Sequence, residues 1–186
     1  MKKNLLLSGV ALFAITNAEA MSWNLADYDP YIGADYVYDR AKNGGLAQDF
    51  KKNFHSAKFD LGMQMYKNLY AEFSYQLSGK LKNRSGYEDN TVKQSFMAYA
   101  LDMYAKYPLM CSNLSALGTA GAAIYSLDYK GLPKSSTNRV GYRAGLGMQY
   151  DLTQHLAARV VGRYSYIGAN RINNFKEVTA GMIYRF

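Results

Sequence analysis

The segment Val178-Thr179-Ala180-Gly181-Met182-Ile183-Tyr184-Arg185-Phe186 constrains the fold of this chain more than any other. Read with period two, Val178, Ala180, Met182, Tyr184 and Phe186 form one row, wholly apolar or aromatic. Thr179, Gly181, Ile183 and Arg185 form the other. Period two is the signature of a strand, whose successive side chains point to opposite faces. A strand that closes on Phe, with Arg before it on the opposite face, predicts an apolar surrounding on one side and a packed, partly charged interior on the other.

The opposite end predicts export. Lys2 and Lys3 precede a short apolar run from Leu5 to Thr16, and Ala18-Glu19-Ala20 places small residues where a signal protease reads them. Residues 1–20 are therefore expected to be a signal peptide and 21–186 one barrel domain. The alternative is a retained anchor helix, but the run falls short of the roughly 20 residues that a spanning helix needs. No other long apolar run follows, and mean hydropathy is slightly negative at -0.28. A membrane barrel has this property, because outward and inward residues alternate and cancel in any window. The 18 Tyr and 16 Gly against 3 Pro favour strands. Cys111 is the single cysteine, so no internal disulfide can staple the domain. It falls in an expected turn, Pro108 to Asn113, where a free thiol is the plain reading and an intermolecular disulfide the alternative.

Alternation marks eight segments. Seven lie near Pro30–Arg40, Phe54–Met65, Leu69–Gly79, Lys93–Tyr107, Leu114–Asp128, Val140–Tyr150 and Leu156–Tyr166; the terminal segment is the eighth. The fifth is so rich in Gly and Ala that its phase is weakly marked; Leu117, Gly121, Ala123, Tyr125 and Leu127 are expected outward. The connections alternate long (near 41–53, 79–92, 129–139 and 168–175) and short (near 66–68, 108–113 and 151–155). Aromatics crowd the ends of the apolar rows, among them Tyr36, Tyr38, Tyr107, Tyr150, Tyr164 and Tyr166. A soluble lipocalin-like barrel also alternates, with its apolar row inside. Alternating loop lengths, interfacial aromatics and an even strand count point instead to an all-β fold: an eight-stranded antiparallel up-and-down transmembrane β-barrel of the bacterial outer membrane.

Pro30-Tyr31-Ile32-Gly33-Ala34-Asp35-Tyr36 at the start of the barrel and Gly181-Met182-Ile183-Tyr184-Arg185-Phe186 at its close resemble the small outer-membrane β-barrel superfamily. That group includes the OmpA transmembrane domain, the opacity proteins and the OmpX/Ail barrels. The resemblance covers essentially all of residues 21–186. It implies that Phe186, Tyr184 and Met182 are the signal read by the barrel-assembly machinery. An OmpA-type periplasmic peptidoglycan-binding domain is not expected, since the sequence stops with the last strand.

The inward rows carry charge of both signs: Asp35, Lys58, Asp60, Glu72, Asp102, Lys106, Arg143, Arg159, Arg163 and Arg185. Buried charges are costly unless paired, and eight strands leave an interior just wide enough for side chains to fill. The expectation is a structural ion-pair network containing Asp35, Asp60, Glu72, Asp102, Arg143, Arg159 and Arg185. The alternative is a narrow small-solute channel, porin-like in function.

Lipid A-modifying enzymes also occur on such scaffolds, and acyl hydrolysis there needs a Ser activated by a base. Only His55 and His155 are present. His155 falls at a turn on the periplasmic side; His55 and Ser56 point to opposite faces. The nearest stretch to a deacylase active-site strand, Arg163-Tyr164-Ser165-Tyr166-Ile167, lacks the His that precedes the Ser in that group. The expected protein is not an enzyme, and no cofactor or metal motif is read.

The long connections are basic, and the third holds Lys130, Lys134 and Arg139 without an acid. Such a rim suits phosphates of lipopolysaccharide or acidic host glycans. Expected partners are outer-membrane lipid, lipopolysaccharide and the assembly machinery, with acidic host glycans as a further candidate. Nucleic acid is not expected for an exported barrel, and the barrel is expected to be monomeric.

Overall fold

The computed structural model describes residues 29–43, 53–84, 91–109, 113–130, 136–167 and 172–186. Nine strands follow in chain order: β1 (Pro30–Asn43), β2 (Asn53–Tyr66), β3 (Leu69–Ser78), β4 (Leu81–Arg84), β5 (Thr91–Pro108), β6 (Leu114–Lys130), β7 (Ser136–Asp151), β8 (Leu156–Tyr166) and β9 (Ile172–Arg185). All neighbours are antiparallel. The sheet order is β3-β2-β1-β9-β8-β7-β6-β5-β4, and an additional β3–β5 pairing closes it on itself. β3 and β4 both pair with β5, the first from Leu69↔Ala105 to Leu77↔Met97 and the second from Leu81↔Gln94 to Arg84↔Thr91. They form one wall strand interrupted at Gly79-Lys80, so the wall is an eight-stranded closed barrel. Closure removes the free strand edges that an open sheet exposes.

At one end the turns are short. Lys67-Asn68 joins β2 to β3, and Leu152–His155 joins β7 to β8. In the second turn Thr153 Oγ1 accepts from the amides of His155 (3.2 Å) and Leu156 (3.0 Å). The chain ends meet there: Phe186 N donates to the Pro30 carbonyl at 3.2 Å. The longer connections all lie at the other end. Residues 1–20 and Cys111 lie outside the described residues, as does Lys134.

The faces follow the pleat. Inward Tyr31, Asp35, Val37 and Asp39 of β1 are buried, whereas Ile32, Tyr36, Phe59, Leu61, Leu101 and Leu146 are exposed on the outer wall. Large apolar side chains face outward at nearly every level, and the buried charges lie inside. This inverts a water-soluble barrel and matches a lipid-facing wall.

Two expectations need correction. In β6 the phase is reversed: Leu117, Ala123, Tyr125 and Leu127 are buried in the lumen, each at most 4% exposed. Gly121 joins them, because it lies opposite inward Asp102 in the register. The outer row is Ala116, Gly118, Ala120, Ala122 and Ile124. The long connections are also shorter than expected. β1 runs to Asn43, β6 to Lys130, β7 starts at Ser136, β9 starts at Ile172, and β4 with β5 extends a hairpin above the interruption. Hydrogen-bonded wall continues where loops were expected.

Candidate functional site: a filled lumen beneath a basic rim

The lumen is stacked in three levels. At mid-height, Lys58 of β2 is wholly buried and pairs with Asp35 at 2.7 Å, Asp60 at 3.1 Å and Glu72 at 3.5 Å. From β8, Arg159 reaches the same carboxylates: Asp35 at 3.0 Å, Asp60 at 2.5 Å and Glu72 at 2.5 Å. Tyr31 and Tyr104 each donate a hydroxyl to Glu72, at 2.9 and 3.0 Å. Arg143 donates through Nε to Asp102 Oδ1 at 2.7 Å and through Nη2 to the other oxygen and to Ser74 at 2.9 Å. Arg163 binds Glu177 at 2.6 Å and donates to the Tyr104 hydroxyl. The guanidinium groups of Arg159 and Arg163 both lie near the Tyr104 ring, 5.5 and 5.6 Å from its centroid. Such interlocking satisfies charges that would otherwise be expensive to bury.

Backbone choice makes room for this level. Gly121 lies opposite Asp102, and Gly181 opposite Asp35. A Cβ at Gly121 would overlap Asp102 Oδ1 and the Leu101 carbonyl; one at Gly181 would overlap Asp35 Oδ1 and the Ala34 carbonyl. Glycine is required at both because neighbouring carboxylates occupy the space that a side chain would take.

Toward the long-connection end the filling turns apolar. Phe54, Phe96, Phe175, Tyr125, Leu127 and Ile167 form one buried cluster. Ring centroids are 4.9 Å apart for Phe96 and Phe175, 5.3 Å for Phe54 and Phe96, and 5.7 Å for Tyr125 and Phe175. Between the two levels, Asp39 accepts from Ser56 Oγ at 2.7 Å and Gln76 Nε2 at 2.8 Å. At the short-turn end, Asp151 binds Lys106 at 2.9 Å and Arg185 at 2.7 Å. A cavity of about 20 Å³ lies there, lined by Tyr31, Tyr70, Tyr104, Arg159, Ile183 and Arg185 among others. It has room for about one water molecule.

The structure thus brings Asp35, Asp60, Glu72 and Arg159 together with Lys58, sets Asp102 on Arg143, and places Arg185 apart, at the short-turn mouth. Asp39 and Glu177 also belong to the interior, and sequence reasoning left them out. Carrying the period-two alternation of the last strand back from Val178 would have put Glu177 inside. Met182, Tyr184 and Phe186 are exposed on the outer wall, with the Tyr184 and Phe186 rings 5.5 Å apart, edge to face. Lys130 is the last residue of β6, and Arg139, in β7 opposite Tyr125, is exposed. Of the histidines, His55 is exposed on the outer wall and contacts the Tyr36 hydroxyl through Nδ1, while Ser56 is buried against Asp39. His155 Nδ1 lies 3.1 Å from the Arg185 carbonyl. Among the described residues, no group of three or more His, Cys, Asp or Glu is placed to hold a metal ion.

Residues 6–186 match the outer membrane protein beta-barrel domain. No curated protein matches the sequence at a significant level. Among solved structures, Neisserial surface protein A is similar with a TM-score of 0.62 at 20% identity, over 84% of this chain and 97% of that one. Ail, the attachment invasion locus protein of Yersinia pestis, in complex with the heparin analogue sucrose octasulfate, gives a TM-score of 0.58 at 16% identity, over 86% and 99%. OprG from Pseudomonas aeruginosa gives 0.59 at 10%, over 85% and 96%. With a closed antiparallel wall, an apolar exterior and this match across the sequence, the chain belongs to the outer membrane protein beta-barrel domain family and is a bacterial outer-membrane protein.

Proposed function

We propose that this chain is exported by a signal peptide at residues 1–20, is assembled through the Met182, Tyr184 and Phe186 signal, and works as a monomeric, non-enzymatic barrel. It acts through its cell-surface end, contributing to envelope integrity or surface adhesion by holding anionic glycan. The observation that carries this reading is the filled lumen. The ionic level around Lys58 and Arg159 and the aromatic level around Phe96 and Phe175 fill the barrel interior with buried side chains. This filling supports the outside surface, rather than a small-solute channel, as the working part.

That surface is cationic. Short turns of such barrels face the periplasm and long connections the exterior, so Arg40, Lys42, Lys80, Arg139 and Lys176 are exposed at the outer end. None of them forms an ion pair with a carboxylate within 4.0 Å among the described residues. The register pairs Lys82 with Lys93 and Lys93 with Lys130 across three strands. Lys134 follows in the sequence, outside the described residues. Ail was solved with a sulfated sugar, and sulfated glycan is a suitable probe for a rim of this kind. The test is binding of the folded barrel to sucrose octasulfate, against a variant with Lys130, Lys134 and Arg139 all replaced by Gln. Weaker binding by the variant at low ionic strength, converging at high salt, is expected because exposed cation–anion contacts are screened. Equal binding at low salt would remove the role of these residues.

A further inference from the structure

Three of the exposed cations at the outer end stand together on the outward face of the wall. Arg40 of β1 stands directly opposite Lys176 of β9, and Lys42 follows one step higher on the same face of β1. All three are exposed. Direct cross-strand pairing of like charges is destabilising, and among the described residues no carboxylate forms an ion pair with any of the three. The residues that continue the row are Asn53 of β2, opposite Arg40, and Tyr164 of β8, opposite Lys176. The nearest acids in sequence, Asp39 and Glu177, point into the lumen, where Ser56 with Gln76 and Arg163 engage them.

Height along the wall decides what meets these cations. From Tyr184 at the periplasmic girdle to Lys176, strand β9 climbs about 20 Å along the membrane normal, from a rise of ~3.3 Å per residue and a tilt of ~40°. The outward apolar band of such barrels is about 25 Å tall. Immediately below the cations the wall carries Tyr38, His55 and Val178 in one row, an interfacial and apolar level. Lys176 thus lies just below the upper edge of that band and Lys42 about level with it, and their long side chains, with that of Arg40, extend to the headgroups of the outer leaflet.

We propose that Arg40, Lys42 and Lys176 form a lateral seat for the phosphate of an outer-leaflet glycolipid, with Asn53 and the Tyr164 hydroxyl as flanking hydrogen-bond groups. This deepens the surface reading above by naming a partner, a phosphorylated lipid held from the side, and a site separate from Lys130, Lys134 and Arg139. A phosphate there removes the like-charge opposition of Arg40 and Lys176, and the site ties the barrel to the leaflet it spans.

The test uses the full barrel in phosphatidylcholine vesicles containing bisphosphorylated lipid A, with bound lipid A counted by native mass spectrometry after gentle extraction. The R40Q/K42Q/K176Q variant, checked for folding by its heat-modifiable gel shift, should retain lipid A about tenfold more weakly, the sum of three modest exposed contacts. Wild-type barrel offered lipid A stripped of its phosphates should fall to the same level, an arm that needs no variant. The K130Q/K134Q/R139Q variant should hold lipid A as wild type does, even if it loses sucrose octasulfate. Undiminished lipid A on the wall variant, or equal retention of phosphorylated and dephosphorylated lipid A, would overturn the seat. A parallel loss of sucrose octasulfate by the wall variant would also overturn it, by assigning these cations to soluble glycan. Failure of the rim variant alone to lose glycan would instead count against the surface reading and leave the seat standing.

Discussion

Arg159 Nη1 donates to Glu72 Oε2 at 2.5 Å across the lumen, joining β8 to β3, two strands that share no ladder. Contacts of this kind tie opposite walls of the barrel through its centre. The ladder fixes each wall strand to its neighbours, while the ionic level fixes the cross-section. The two supports should separate in experiments on single residues.

Interior pairs differ in how much backup they have. Asp102 is the only carboxylate within 4.0 Å of Arg143 among the described residues, so Asp102→Asn leaves a buried cation uncompensated. A loss of about 3–5 kcal/mol is expected, read as a lower urea midpoint for the folded barrel. Arg159→Met should cost a similar amount, since Lys58 alone then faces Asp35, Asp60 and Glu72. Glu72→Gln should cost less, because both cations keep Asp35 and Asp60. Removing Asp102 and Arg143 together should recover part of the single losses; an additive double variant would show that the pair is uncoupled.

Glycines on the two sides of β6 should respond differently. Gly121→Ala drives a methyl into the Leu101 carbonyl and the Asp102 carboxylate, at about 1–3 kcal/mol. Gly118→Ala meets nothing within 4 Å and should stay within about 0.5 kcal/mol of wild type. Equal midpoints for the two variants would contradict the assigned phase of β6.

That phase shows where sequence reasoning works and where it stops. In β2 and β3, apolar Phe59, Leu61, Phe73 and Leu77 alternate with Lys58, Asp60, Glu72 and Gln76, and the contrast in polarity alone separates the faces. In β6 the two rows are Leu117, Gly121, Ala123, Tyr125 against Ala116, Gly118, Ala120, Ala122, and small residues carry little contrast. The answer lies in the partner strand: Asp102 opposite Gly121 forces Gly121 inward. The inner apolar cluster was hidden for the same reason, since Phe54, Phe96 and Phe175 lie toward the upper ends of three different strands and meet only after closure. Interior charges were legible as a class, but their pairing depends on strand stagger, which no local pattern encodes.

Deleting Phe186 tests the assembly signal. The residue is 67% exposed, stacks edge-to-face on Tyr184 and anchors β1 through its amide. Precursor or periplasmic aggregate should accumulate, with loss of the heat-modifiable band from outer membranes. Normal amounts of folded barrel would show that the machinery reads something else. Phe186→Trp keeps an aromatic at this position and should restore assembly.

The filled lumen is the centre of the functional reading, and ion current measures it most directly. Folded barrel incorporated into planar lipid bilayers at neutral pH should give no sustained conductance above the bare membrane, because buried side chains fill the lumen at the Lys58–Arg159 level and again at the Phe96–Phe175 level. Stable unitary currents from the wild-type barrel would contradict the account and favour the channel.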